Sequence, residues 1–112
     1  LDNPNNKAFV EAFKAKYGPN SVIGDVTQAG YLGPWLWKAA VEKAGSFDVD
    51  KVVAASPGIE LKTAPEGYVK VHANHHLWSK SRIAQGLPDG TFKVVAESPD
   101  LIEPNPFPKG YQ

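Results

Sequence analysis

Apolar residues recur every three or four positions through the first half of the chain, then every second position in parts of the second half. Phe9, Phe13 and Tyr17 share one stripe, with Val10 at its edge, while Lys7, Glu11 and Lys14 lie opposite; this spacing predicts a surface helix from Asn3 to Tyr17 with one buried face. Asn3 suits the N-cap, Pro4 the first helical position, and Gly18-Pro19 the stop. Asn20 to Val26 reads as a connector whose apolar pair, Val22-Ile23, has the makings of a brief strand.

A second helix is expected from about Thr27 to Ala44, ended by Gly45. Tyr31, Trp35 and Ala39 form one stripe flanked by Leu32 and Leu36, and Trp37, Val41 and Ala44 form another most of the way round the cylinder. A helix apolar on nearly every side is buried on several sides. Pro34 inside it removes one backbone bond and crowds the carbonyl of Gly30, which predicts a kink. Tyr31, Trp35 and Phe13 are the expected packing residues. Asp48 can cap a short third helix carrying Val49, Val52 and Val53, which must stop before Pro57 because Ser56 is pushed out of the helical region.

Strands and turns follow. Ala64-Pro65-Glu66-Gly67 is a turn sequence, and Tyr68 to His72 reads as a short strand. Ser81 to Leu87 and Thr91 to Glu97 flank Pro88-Asp89-Gly90 as the arms of a hairpin. In the second arm Phe92, Val94 and Ala96 alternate with Thr91, Lys93, Val95 and Glu97. The tail from Pro99 to Gln112 is rich in proline and should lie extended on a surface. Three short strands and two other helices cannot cover the second helix on all sides, so a further layer of cover is expected from outside these residues.

Composition narrows the classes of function. Twelve basic residues balance twelve acidic ones, leaving no net field to gather nucleic acid or anionic lipid. No apolar run approaches the ~20 residues that a membrane-spanning helix needs. The absence of cysteine removes thiolate zinc sites, disulfides and a cysteine nucleophile. The chain begins at Leu1 and contains no methionine, so a processed product or a piece of a longer protein is expected. It also carries no basic segment followed by an apolar one, hence no secretion signal among these 112 residues.

Candidate chemistry is sparse. His72, His75 and His76 could offer three nitrogens to zinc as a small metal-dependent hydrolase, but their spacing is not that of two ligands on one helical turn. Adjacent side chains of an extended chain point to opposite faces, so Asn74-His75-His76 reads better as a hydrogen-bonded turn fixing the chain before Trp78. Asp48 is explained as a cap, with Asp50 close by, and Glu97, Asp100 and Glu103 as solvated charges around Pro99. Ser79 and Ser81 lack a nucleophile elbow, and no phosphate-binding glycine loop occurs. Lys80 and Arg82 beside Trp78 make a weak nucleic-acid patch. Neither catalysis nor a cofactor is expected.

Several phrases resemble type I periplasmic solute-binding proteins. Asn3-Pro4-Asn5-Asn6-Lys7-Ala8-Phe9-Val10-Glu11-Ala12-Phe13-Lys14 with Tyr17-Gly18 is similar to a late helix of that family. Ala29-Gly30-Tyr31, Leu36 through Gly45, and Asp48-Val49-Asp50-Lys51-Val52 continue the likeness. Ala64-Pro65-Glu66-Gly67, Asn74-His75-His76, Ser81-Arg82-Ile83-Ala84, Asp89-Gly90-Thr91-Phe92, Glu97-Ser98-Pro99 and Ile102 through Phe107 resemble its urea and short-chain-amide branch. That branch holds the binding components of urea importers and the amide-sensing regulator of amidase operons. Gly33-Pro34 departs from it, since relatives keep an uninterrupted helix there.

The resemblance implies an α/β fold of two lobes, of which residues 1–112 are a single partial domain at the C-terminal end: three helices, short strands, a hairpin and a proline-rich tail. It implies a periplasmic, non-enzymatic protein that holds urea or an amide between its lobes and docks on an ABC permease, or else an amide sensor of the same fold. Most ligand contacts would then lie upstream of Leu1. Asp25 and Val26, before the second helix, are the local candidates for a ligand-side contact. By the residues alone, Asp25 reads better as a helix cap or surface residue than as a cleft carboxylate.

Overall fold

A computed structural model describes residues 1–110 and shows three helices followed by five short strands. Helix α1 spans Pro4–Tyr17. Asn3 caps it as expected, its side-chain oxygen accepting from the Asn6 N–H at 2.8 Å, and Pro4 opens it. The same Asn3 side chain donates to the Pro65 carbonyl at 3.1 Å, and Asn5 donates to the Lys62 carbonyl at 3.0 Å. The cap thus also ties α1 to the turn before the sheet.

Helix α2 runs Asp25–Ala44, beginning two residues earlier than its apolar pattern implied. Gly24 takes the extended N-cap conformation, and the Asp25 carboxylate sits in the first turn, where the helix dipole favours negative charge. Pro34 lies inside the helix without ending it, and Gly45 closes it in the left-handed conformation, φ 61°. Val22-Ile23 remains irregular rather than forming a strand. Neither residue meets a strand partner, and Val22 is open to solvent. Helix α3, Val49–Ala55, is capped by Asp48 through the Lys51 N–H, as its sequence required. Ser56, however, keeps the right-handed helical conformation (φ −65°, ψ −36°) with its N–H on the Val52 carbonyl, so it is not pushed out of the helical region by Pro57.

A three-stranded antiparallel sheet packs on α2. Its strands are β1 (Glu60–Leu61), β2 (Val69–Val71) and β3 (Leu77–Trp78), in that order, with Leu61 opposite Val69 and Val71 opposite Leu77. Strand β2 is the core of the expected Tyr68–His72 strand; its two neighbours are too short for periodicity to reveal. The turn before β2 closes through the Gly67 N–H on the Ala64 carbonyl at 2.9 Å.

The core lies between this sheet and one stripe of α2. Leu32 meets Ala64 and Val69, Ala40 meets Ile59 and Val71, and Leu36 and Leu77 touch both groups. The aromatic residues expected to pack are not in it. Tyr31 and Trp35 stay about half exposed and Phe13 half-buried, because the sheet, with Val52 of α3, covers the leucine–alanine stripe of α2 and the aromatic stripe meets only α1. Instead the aromatics form a ladder joining α1 to α2, running Tyr17, Phe13, Phe9, Tyr31, Trp35 with centroid separations of 4.6, 6.1, 4.6 and 6.1 Å. No residue of α1 is fully buried.

Strands β4 (Arg82–Gly86) and β5 (Phe92–Glu97) form the expected hairpin, with an irregularity between Ile83 and Ala84. Every residue of β5 is exposed, so its alternation of apolar and polar side chains does not become a buried and a wet face. The tail touches the body at the Ser79–Ile102 bridge. It is otherwise irregular to residue 110, and the last two residues of the expected extended stretch lie outside the described ones.

Candidate functional site

A polar cleft of about 640 Å³ opens at the start of α2. Its walls come from four places: Leu1, Asn6 and Val10 at and along α1, Ile23, Gly24, Asp25 and Gln28 on α2 and its approach, Pro65-Glu66 in the tight turn, and Ser79, Lys80 and Arg82 entering the hairpin. The fold brings them together for simple reasons. Gln28 sits one turn before Leu32 on the covered stripe of α2, so it is drawn toward the sheet and is 9% exposed. Ala64 and Pro65 are buried, which holds the turn rigidly and sets Glu66 at the cleft.

Gln28 Nε2 donates to Glu66 Oε1 at 3.4 Å. Burial pushes the Glu66 carboxyl above its usual range, an effect opposed by the Gln28 hydrogen bond and the Arg82 charge and reinforced by the negative charge of Asp25. Arg82 donates from Nη2 to the Glu66 main-chain oxygen at 2.9 Å and from Nε to Glu97. Lys80 meets the same carboxylate of Glu97 at 2.8 Å. Glu97 is therefore held below the usual carboxylate range, first by the Lys80 hydrogen bond and then by that of Arg82. Both rim cations are engaged with the hairpin's own carboxylate, while Asp25 and Glu66 face the cleft without a salt bridge among the described residues.

Of the two residues singled out from the sequence, Asp25 lines this cleft and Val26 does not; Val26 is strongly exposed beside it. Gln28, Glu66 and Arg82 were missed. A polar residue on the stripe of Leu32, and a glutamate in a proline turn, were the available signals. Neither reveals that the two meet, since they are 38 positions apart.

The three histidines are not brought together. His72 Nε2 lies 3.1 Å from Glu103 with its ring against Trp78, His75 Nδ1 meets Ser56 Oγ at 2.9 Å, and His76 Nδ1 meets the Asn74 carbonyl at 3.1 Å. No cluster of three metal-ligating side chains occurs among the described residues. The segment is the hydrogen-bonded turn that its spacing favoured. The His72 N–H donates to the His76 carbonyl at 2.8 Å, the Asn74 side chain accepts from the His76 N–H at 3.1 Å, and His75 takes a positive φ of 65°.

A second hollow of about 520 Å³ runs between α1 and α2, lined by Ala8, Phe9, Ala12, Phe13, Tyr17 and Tyr31 among others. It is the open flank of the aromatic ladder. No helix among the described residues is long and apolar enough to cross a membrane.

Comparison with known proteins places these features. Limonene hydroxylase of Geobacillus stearothermophilus is 33% identical over 109 residues, 96% of the chain, and the chain spans 20% of that protein's length. The family model described as a periplasmic binding protein domain matches residues 1–112, helices, sheet, hairpin and tail together. With that match over its whole length, the chain belongs to the periplasmic binding protein family.

Proposed function

We propose that the chain is the C-terminal part of an extracytoplasmic solute-binding protein that delivers urea or a short-chain amide to an ABC importer. The family match across residues 1–112 carries this reading. Binding components of this kind work by holding a solute between two lobes, and the solute selects the closed arrangement, which then docks on the permease. The chemistry asked of the protein is recognition, not bond breaking.

Two structural features support the reading. The cleft at the start of α2 offers acceptors and a donor suited to a small neutral polar molecule, and Asp25 lies on its wall. The uncovered aromatic flank and the exposed hairpin are surfaces that a second lobe, or the rest of this one, would cover. The motifs of the turn at Ala64–Gly67 and of Asn74-His75-His76 favour the urea and amide branch over binders of branched amino acids.

Calorimetric titration of the protein in its natural full length, with urea, acetamide and limonene in separate runs, tests the proposal. Saturable heat with urea or acetamide is the expected result. Limonene binding without either amide would overturn it. The natural N-terminus supplies a second check: a signal sequence is expected for an importer component, whereas a mature cytoplasmic start belongs to the amide-sensor alternative.

A further inference from the structure

The wall of the cleft holds hydrogen-bonding capacity that the protein leaves unspent. Gln28, nine-tenths buried, makes one side-chain hydrogen bond among the described residues, and that one is long. Its Nε2 therefore keeps a second N–H to give. The Glu66 carboxylate receives no other protein donor among the described residues, because Arg82 reaches the Glu66 main chain instead. A partly desolvated carboxylate with so few donors is costly, and an N–H from a bound molecule would relieve it.

We propose that Gln28 and Glu66 together read one edge of a primary amide or urea, Glu66 accepting a ligand N–H and Gln28 Nε2 donating to the ligand carbonyl. The assignment rests on the solute-binding reading above and names the side chains that make its choice. A donor and an acceptor 3.4 Å apart are complementary to a planar group that carries a carbonyl oxygen and an amino group side by side. A carboxylate ligand would set its charge against Asp25 and Glu66, and both rim cations are already engaged by Glu97. A guanidinium ion would satisfy Glu66 but offers no acceptor to Gln28, and it would meet the positive end of α2. A tertiary amide keeps the carbonyl and loses the N–H that Glu66 needs.

The test is calorimetric titration of the natural full-length protein with acetamide, urea, N,N-dimethylacetamide and acetate, on wild type, Glu66→Leu, Glu66→Gln and Gln28→Leu. Acetamide should bind wild type more tightly than N,N-dimethylacetamide or acetate. Glu66→Leu should weaken acetamide about tenfold to a hundredfold, the range for a hydrogen bond to a charged group. Glu66→Gln keeps an acceptor oxygen without the charge and should recover part of that loss, while Glu66→Leu should also erase the preference for acetamide over N,N-dimethylacetamide, which a purely structural role for the side chain would not do. Acetamide binding unchanged in a folded Glu66→Leu protein overturns the assignment while leaving the solute-binding reading standing. Should that variant fail to fold, equal affinity of wild type for acetamide and N,N-dimethylacetamide overturns it instead. Absence of binding to urea and every amide overturns both.

Discussion

Glu66 and Glu97 sit a few ångströms from the same guanidinium and are pushed in opposite directions, which shows how burial and pairing divide the work of one cleft. Glu66 has its folded pKa raised mainly by burial, so its contribution to stability is greatest below the unfolded value of about 4.3 and is lost as pH rises through the folded one. Glu66→Gln removes that titration. The variant should gain stability relative to wild type on going from pH 4 to pH 7, followed as the difference in Tm at the two pH values; a difference that does not change with pH would contradict the burial argument. Glu97 has the reverse sign: its pairing with Lys80 and Arg82 favours folding above about 4.3 and fades as pH falls through the folded value. Beside the same turn Asn3 does two jobs, capping α1 and donating to Pro65. Asn3→Ala should cost about 0.5–2 kcal/mol in denaturant unfolding, the usual loss of an N-cap, and a cost near zero would mean that α1 is held by its aromatics alone.

Elements differ sharply in how firmly they are held. The β1–β3 sheet shares a core with α2, whereas the hairpin of β4 and β5 is exposed along nearly its whole length. A two-stranded hairpin is marginal by itself in water, and here Arg82 and Lys80 fasten its root through Glu97 and the Glu66 carbonyl. Amide hydrogen exchange in β4 and β5 should therefore be much faster than in β2, and faster still in Arg82→Ala; equal protection of β2 and β5 would show that the hairpin is not the loose element. The tail is fastened by the histidine turn. Asn74 donates to the Pro104 carbonyl at 3.0 Å, and Glu103 meets His72. Asn74→Ala breaks that bond and the turn's own bond from the His76 N–H. It should expose the tail to limited proteolysis beyond Pro99 without unfolding the sheet, and an unchanged cleavage pattern would count against this anchoring.

Across the whole molecule, surface is the dominant fact. The accessible area is 8156 Å², against about 6,000 Å² for a folded protein of this mass. The radius of gyration is 16.1 Å, against about 13 Å for a compact chain of this length. Large apolar side chains stand in that surface, including Trp35 at 47% and Trp37 at 56% exposure, with Phe47 beside Trp37 at 6.0 Å. Such a surface seeks cover. Produced as residues 1–112 alone, the chain should self-associate or bind an apolar dye, and sedimentation showing a dye-free monomer would contradict this. Urea and acetamide should leave the Tm of that isolated chain unchanged, since one wall of a cleft does not make a closed site; a clear rise would place the complete binding site within these residues.

What could be read without coordinates was whatever local chemistry decides. The caps at Asn3 and Asp48, the stop at Gly45, the Ala64–Gly67 turn, the hairpin around Asp89-Gly90 and the turn at Asn74 all depend on neighbours within a few positions, so residue type alone specifies them. The surplus of apolar faces on α2 was equally legible, because periodicity counts faces. Which face would be covered was not. The sheet chose the leucine–alanine stripe and left the aromatics outside, a choice made by the shape of a layer some thirty residues away in the chain. The meeting of Gln28, Glu66 and Arg82 belongs to the same class: three residues with unremarkable local roles, made into a cleft only by tertiary contact, since no periodicity carries information between positions so far apart.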